Sequence, residues 1–311
     1  MKRVYMSVEE GFEKSPEHNY RSSKTIIGKL QSIVDLTLVH PGDYDLESGE
    51  ILAGYTWDGG PELTQTHGRH IPTGDLFIIV GDETSKNIGV TLGRKQYAFL
   101  KGLEERGSFR HFVNRPSTEE MTLKDALIDL GRDRMLNVAK TFLYESDAQV
   151  DGLLQQYGAL IVKPIFGCRG VGVQRIESLD DLETAQIPDC RREEHILQEH
   201  LPGPEIRIIL LGGQLIASRI CYDREPPWKP ANKYRADVHF PTRFELSIAE
   251  RIQRTLDADL IGVDLIGSKV SEINGMGTGT RTYAPDGRLL YDRTDDVVEY
   301  LMRKMNEDSE G

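Results

Sequence analysis

Short apolar runs alternate with stretches of helical period along the first hundred residues. Val4–Val8, Val34–Val39, Leu76–Val80 and His111–Asn114 read as strands, and Tyr20–Ile33 and Tyr97–Arg106 as helices. Strands separated by helices predict an α/β fold with a parallel sheet and helical crossovers. Asn114-Arg115-Pro116-Ser117 is the first good boundary, because Pro disfavours helix before it and Ser117 can cap the next helix. The expected division is an N-terminal α/β domain over 1–116 and a second domain over 117–311, itself split into 117–200 and 201–311.

The pattern changes after that point. Met121–Val138 looks helical throughout, Thr141–Tyr144 is a strand, Ala148–Tyr157 a helix and Ala159–Val162 a strand. A Gly-rich loop comes next, then a strand at Val171–Ile176 and a helix opening at Ser178. His195–Gln198, Ile206–Leu211 and Leu215–Tyr222 read as strands, the last two joined through Gly212-Gly213 as a hairpin. Asp223–Thr242 is rich in Pro and charge, has no periodicity, and reads as a mobile loop. In Phe244–Leu256, Ile248, Ile252 and Leu256 recur at i, i+4 and i+8, an amphipathic helix. Strands at Ile261–Ile266 and Val270–Asn274 and a helix at Thr294–Met305 complete the pattern.

Composition narrows the function classes. The 311 residues suit two domains at about 150 residues each. Thirty-eight basic against fifty acidic side chains give a net charge of −12, which argues against a nucleic-acid partner that needs a basic face. Apolar runs such as Ile208-Ile209-Leu210-Leu211 are far shorter than the roughly 18 residues of a membrane span. Three cysteines, Cys168, Cys190 and Cys221, lack metal-ligand spacing, and no signal-peptide core comes after Met1-Lys2-Arg3. A cytoplasmic protein with reduced thiols is the expectation. Cys168 is read as a small tolerated side chain rather than a redox sensor.

Three segments can carry chemistry. Leu160-Ile161-Val162-Lys163-Pro164 leads into a loop carrying Gly167, Gly170 and Gly172. Glycines let backbone N–H groups approach phosphate oxygens, and a fixed ammonium offsets their charge. The spacing is neither a Walker loop nor a dinucleotide fingerprint. A tight hairpin turn with an exposed lysine is the plain alternative. In the second segment, a three-residue loop at Gly267-Ser268-Lys269 would set Asp264 opposite Glu272, whereas a two-residue loop would part them. Alternation puts Glu272 and Asn274 on one face. Two carboxylates and an amide oxygen there suit Mg²⁺ holding nucleotide phosphates, the alternative being a solvated sheet face. The third segment is basic. A three-residue loop at Gly212-Gly213-Gln214 would pair Arg207 with Arg219, and Lys229, Asn232, Lys233 and Arg235 lie in the irregular loop beyond. Arginine forks grip carboxylates and phosphates, though paired surface arginines are common.

In this order the segments resemble the ATP-grasp carboxylate–amine ligases, above all bacterial glutathione synthetases and the glutamate ligases that modify a ribosomal protein. Lys163-Pro164 and its loop resemble the phosphate-covering loop, Gln198-Glu199-His200-Leu201 the adenine segment, and Glu205-Ile206-Arg207 the acidic–Ile–Arg element near ribose and substrate. Asp264, Glu272 and Asn274 resemble the metal ligands, and Asn232 with Arg235 keep the Asn-x-x-Arg spacing of the substrate loop. Ser218-Arg219-Ile220 resembles its upstream strand. Lys124 is the candidate for the first ATP-contacting lysine, with Arg134 as runner-up. The resemblance covers about 114–301.

It departs from glutathione synthetases at Pro226-Pro227-Trp228-Lys229-Pro230-Ala231, at Gly81-Asp82-Glu83 and at Gly275-Met276-Gly277-Thr278-Gly279. Ser22-Ser23 echoes a substrate-contacting pair, although serines near a helix start are more often caps.

The resemblance implies an ATP-grasp fold behind an N-terminal parallel-sheet domain. It implies a ligase that joins the carboxylate of an amino acid or peptide to an amine through an acylphosphate. ATP and one or two Mg²⁺ ions, or Mn²⁺, are the implied cofactors. Lys124, Lys163, Gly167, Gly170, Gly172, Gln198, Glu199 and Glu205 would bind ATP. Arg207, Arg219, Asn232 and Arg235 would hold the acylphosphate and substrate carboxylates. The loop 167–172 and the segment 224–242 would close to exclude water. A small-molecule substrate, with neither nucleic acid nor membrane as partner, is expected, and a homo-oligomer is left open. A kinase on the same fold and a non-catalytic nucleotide-binding module are the rival readings.

Overall fold

The computed structural model describes residues 1–8, 17–60, 62–79, 89–133, 135–167, 170–185, 189–222, 235–284 and 286–307. Arg134, Cys168, Lys229, Asn232 and Lys233 therefore lie outside the described residues.

The N-terminal sheet has six strands. Asp35–Val39, Arg3–Ser7, Gly74–Ile78 and Phe109–Val113 run parallel in that spatial order. Gly54–Thr56 and Thr64–His67 add antiparallel strands at one edge. The parallel strands are apolar on both sides, as a sheet covered on both faces requires. On one face Val4, Met6, Leu38 and Ile78 pack with Ile27 and Leu30 of helix Glu17–Gln31 and with Val297 and Leu301 of helix Thr294–Asn306. On the other, Tyr5, Phe77 and Phe109 pack with Tyr97, Leu100 and Leu103 of helix Gly89–Glu105. Helix Glu17–Gln31 includes Ser22 and Ser23, so neither caps its start.

The second sheet has four antiparallel strands, in the order Gln174–Ile176, Leu160–Pro164, His195–Glu199, Thr141–Leu143. Helix Asp147–Tyr157, capped by Ser146 on the Gln149 amide, buries Val150, Leu153 and Leu154 against it. The long helix expected over Met121–Val138 is absent. Pro116–Glu120 and Ala126–Leu130 form two short helices, and Gly131 ends the second. Leu123, Leu127, Leu130, Leu136 and Val138 are all buried. Apolar spacing at about 3.6 residues thus recorded a buried stretch whose backbone turns between helices.

A third large sheet has five antiparallel strands: Ala236–Val238, Gln214–Cys221, Glu205–Leu211, Leu260–Ile266 and Lys269–Asn274. Ala236–Val238 corrects the expectation that the whole of Asp223–Thr242 is irregular. Helix Arg243–Leu256 opens with a Thr242–Glu245 capping box and presses Ile248, Ile252 and Leu256 on Ile208, Leu210, Ile261 and Val263. The opposite face divides. Ile209, Leu211 and Leu260 join the N-terminal core, and beyond them the same face carries the charged candidates.

Candidate functional site

Both expected registers occur, but through different turns. Leu211 pairs with Gln214 and Ile266 with Lys269, so each hairpin has a two-residue loop rather than three. Gly212 and Gly213 have φ of 55° and 84°, and Gly267 and Ser268 have 55° and 66°, the positive angles a type I′ turn needs. A two-residue loop alone would put each candidate pair on opposite faces. A β-bulge on each returning strand restores it, with Ile216 and Ser271 as the extra residues. Arg207 therefore faces Arg219, and Asp264 faces Glu272.

Because Arg207 also pairs with Asp264 on its other side, one row across the sheet reads Arg219, Arg207, Asp264, Glu272. Like charges directly opposite repel, and the hairpins meet so that unlike charges touch in the middle. Arg207 donates from Nε to Asp264 Oδ1 and from Nη2 to Oδ2, both at 2.6 Å. Asp264 is 1% exposed, and the Asn274 amide adds a bond to Oδ2 at 3.2 Å. Against burial, this pairing holds the Arg207 guanidinium well above its ordinary pKa.

Glu272 has cations from the neighbouring elements. Lys124 Nζ lies 3.6 Å from Oε1 and also donates to the Gly167 carbonyl at 2.6 Å, tying the Gly-rich loop to the metal-candidate strand. Lys163 projects from the four-stranded sheet and donates to Gln198 Oε1 at 2.8 Å. Gln198, 2% exposed, in turn donates to Thr141 Oγ1 at 3.1 Å and to the Ser271 carbonyl at 3.2 Å. Burial pushes the Glu272 carboxyl up, but Lys124, Lys163 and Arg207 outweigh it and leave the carboxyl below its usual value. Burial lowers the Lys163 ammonium, against the pull of Glu272.

Gly167 and Gly172 both fold over Pro164. A Cβ at either would stand 3.0 or 3.3 Å from the Pro164 Cγ, and Gly170 and Gly172 have φ of 69° and 74°. Beside them Phe166 rests on Gly93, where a Cβ would come within 2.4 Å of its ring. The loop closes a hairpin with Gln174–Ile176, as the turn reading expects, but its lysine is not exposed as that reading also expects.

The structure links Lys124, Lys163, Gly167, Gln198, Arg207, Asp264, Glu272 and Asn274 through these contacts. Glu205 lies two residues before Arg207 on the same strand face and acts electrostatically on it. Arg219 Nε is buried without a hydrogen-bond partner among the described residues. Glu199 points the other way along its strand, bonded to Lys269 Nζ at 2.7 Å and to the Lys140 amide at 2.8 Å. Arg235 is exposed, bonded to Asp237 at 3.2 Å and stacked over Tyr222.

Sequence reasoning missed Ser271, whose carbonyl meets Gln198 because the bulge turns it inward, and Thr141 beneath Gln198. It also missed Asn114. That buried amide accepts from the Asp259 and Leu260 amides and donates to the Leu260 carbonyl and to Glu119, which accepts from the Met276 amide. No sequence signal marks a residue whose partners lie 145 positions away.

Among the described residues no three His, Cys, Asp or Glu side chains gather as a metal group. The oxygen set here is two carboxylates and an amide, hard ligands suited to a divalent cation. Two carboxylates set opposite each other also call for positive charge, which Arg207 and Lys124 supply in this structure. The donor set fits such an ion. No helix among the described residues is long and apolar enough to cross a membrane.

Residues 134–282 match the family of the prokaryotic glutathione synthetase ATP-grasp domain. The chain is similar to a glutathione synthetase of Neisseria meningitidis serogroup A, at 26% identity over 188 residues that cover 56% of this chain. It spans only 58% of that relative's length. Among solved structures, the ATP-grasp ligase PsnB complexed with a phosphomimetic variant of its minimal precursor, Mg and ADP superposes with a TM-score of 0.62 at 14% identity, covering 98% of both chains. A D-alanine–D-alanine ligase from Bacillus anthracis complexed with ATP gives 0.61 at 13%, covering 99% of this chain and 100% of that one. The fold is the ATP-grasp fold.

Proposed function

We propose that this ATP-grasp protein is an ATP-dependent carboxylate–amine ligase acting on an amino acid or peptide. The observation that carries the reading is the row Arg219–Arg207–Asp264–Glu272, faced by Lys124 and Lys163 from the neighbouring elements. Such a surface offers anion sites and cation sites side by side, as a triphosphate, its metal and a carboxylate require. The family match and the ligand-bound neighbours support the same reading.

In the reaction, an oxygen of the substrate carboxylate attacks the γ-phosphorus of ATP, the bond to the bridging oxygen breaks, and ADP leaves. The amine nitrogen then attacks the carbonyl carbon of the acylphosphate, loses a proton, and phosphate departs. The chain contributes placement and charge rather than a covalent intermediate. Lys124 and Lys163 neutralise phosphate oxygens, with Gln198 fixing the Lys163 ammonium. Arg207, Arg219, Asn232 and Arg235 hold the acylphosphate and substrate carboxylates. Glu199 and Glu205 meet adenine and ribose, and Gly167, Gly170 and Gly172 let the backbone cover the phosphates. Asp264, Glu272 and Asn274 would hold Mg²⁺, which would supply charge neutralisation for the nucleotide phosphates. In this reading 1–116 is the substrate domain and 117–311 the ATP-grasp domain.

The test is ADP and phosphate release from ATP and Mg²⁺ with amino acids and γ-glutamyl peptides, singly and in pairs. Release that needs both an acid and an amine is expected. A phosphorylated hydroxyl product would make the protein a kinase, and nucleotide binding without turnover across the panel would count for a binding module.

A further inference from the structure

The charged row has a feature that ligand assignment alone does not explain: its most deeply buried carboxylate is already satisfied. Both oxygens of Asp264 accept from the Arg207 fork at 2.6 Å, and Oδ2 also accepts from Asn274 at 3.2 Å. Its proposed co-ligand Glu272 has Lys124 at 3.6 Å. A divalent cation bonded to Asp264 would sit beside a guanidinium held on the same two atoms. Its own ligand distances are short, about 2.0–2.1 Å for Mg²⁺. The two cations cannot share that carboxylate without strong repulsion across a poorly screened gap.

We infer that Arg207 is a place-holding counter-ion for Asp264, so that a divalent cation enters this site together with nucleotide phosphates and not before them. The inference rests on the metal-ligand assignment given above. Removing the guanidinium from Asp264 without replacement would leave a buried carboxylate and a half-buried cation unpaired, a costly state. A triphosphate removes that cost, because its oxygens receive Arg207 and Lys124 while its metal takes over the carboxylates. Metal and nucleotide then raise each other's affinity by the same factor. Arg207 performs the exchange better than a lysine would, since its fork occupies both oxygens at once.

The experiment counts free Mn²⁺ by its paramagnetic resonance signal in titrations of the whole protein, with and without a non-hydrolysable ATP analogue. The wild type is expected to take up Mn²⁺ strongly with the analogue and weakly without it. Arg207→Gln, which leaves Asp264 without its cation, should bind Mn²⁺ alone at least about tenfold more tightly than the wild type. Arg207→Lys, which keeps the charge but loses the fork, should fall between them and carries the test if the Gln variant is too unstable to purify. Asp264→Asn in either background should abolish the gain. Wild-type binding that is as tight without the analogue as with it, or an Arg207→Gln variant no tighter than the wild type, would overturn the inference. Absence of Mn²⁺ binding in every form even with the analogue would overturn the ligand assignment itself.

Discussion

The two hairpins of the C-terminal sheet are built alike and charged oppositely. Each turns through two residues of positive φ, each carries one bulge on its return, and each thereby places two like charges face to face. They differ in what answers those charges. In the acidic hairpin both carboxylates have cations against them, Arg207 on Asp264 and Lys124 on Glu272. In the basic hairpin Arg207 has a carboxylate, whereas Arg219 Nε is buried with no partner among the described residues. The acidic side is therefore neutralised within the chain, and among the described residues the basic side keeps the surplus to which the proposed function assigns an incoming anion.

The largest expected effect of breaking this asymmetry is on turnover. Asp264→Asn should lower acid- and amine-dependent ADP formation by about a thousandfold, and Arg219→Gln by about a hundredfold, measured at saturating ATP. Stability should order the residues differently. Arg207→Ala strands a buried carboxylate and should cost about 3–5 kcal/mol in denaturant unfolding. Arg219→Ala, which strands no carboxylate among the described residues, should stay within about 1 kcal/mol. Equal losses for the two arginines would dissolve the comparison.

Acid should sharpen it further. Burial raises the Glu272 carboxyl, the surrounding cations more than offset this, and the folded value sits below the unfolded one. The folded protein therefore binds fewer protons than the unfolded chain. Its contribution is complete above the ordinary carboxylate value, about 4.3, and is lost as pH falls through the folded value. The stability gap between wild type and Glu272→Gln, read from denaturation at a series of pH values, should narrow as the solution is acidified. The turns test the shared frame of the two hairpins. Gly213→Ala, at φ 84° in open space, should cost about 1–2 kcal/mol. Gly212→Ala should cost more, because its Cβ would meet the Tyr300 ring at 2.7 Å. Ser268→Gly should stabilise by roughly 0.5 kcal/mol, since φ 66° already strains the serine.

These hairpins also show what the sequence could and could not disclose. Alternation put Glu272 and Asn274 on one face, whereas the facing pairs were expected only from three-residue loops that the chain does not adopt. A shorter turn and a bulge, each shifting the register by one, cancel, and neither leaves a mark in the apolar pattern. The edge strand Thr64–His67, exposed throughout, went unread because it has little burial to impose alternation, and Gly54–Thr56 is only three residues long. The Met121–Val138 stretch shows the converse, in which burial without a continuous helix mimicked helical period. Lys124 was a candidate from the resemblance alone, and the fold sets it beside Glu272. Asn114 and Ser271 act through backbone partners supplied by tertiary structure, which residue type alone does not encode.

Whether the row activates a carboxylate by phosphorylating it is tested most directly with an acid substrate carrying ¹⁸O in its carboxylate, by analysing the phosphate released during coupling to the amine. One ¹⁸O per phosphate is the predicted result, because the acylphosphate oxygen leaves with phosphorus. Unlabelled phosphate, with the amide still formed, would contradict an acylphosphate route.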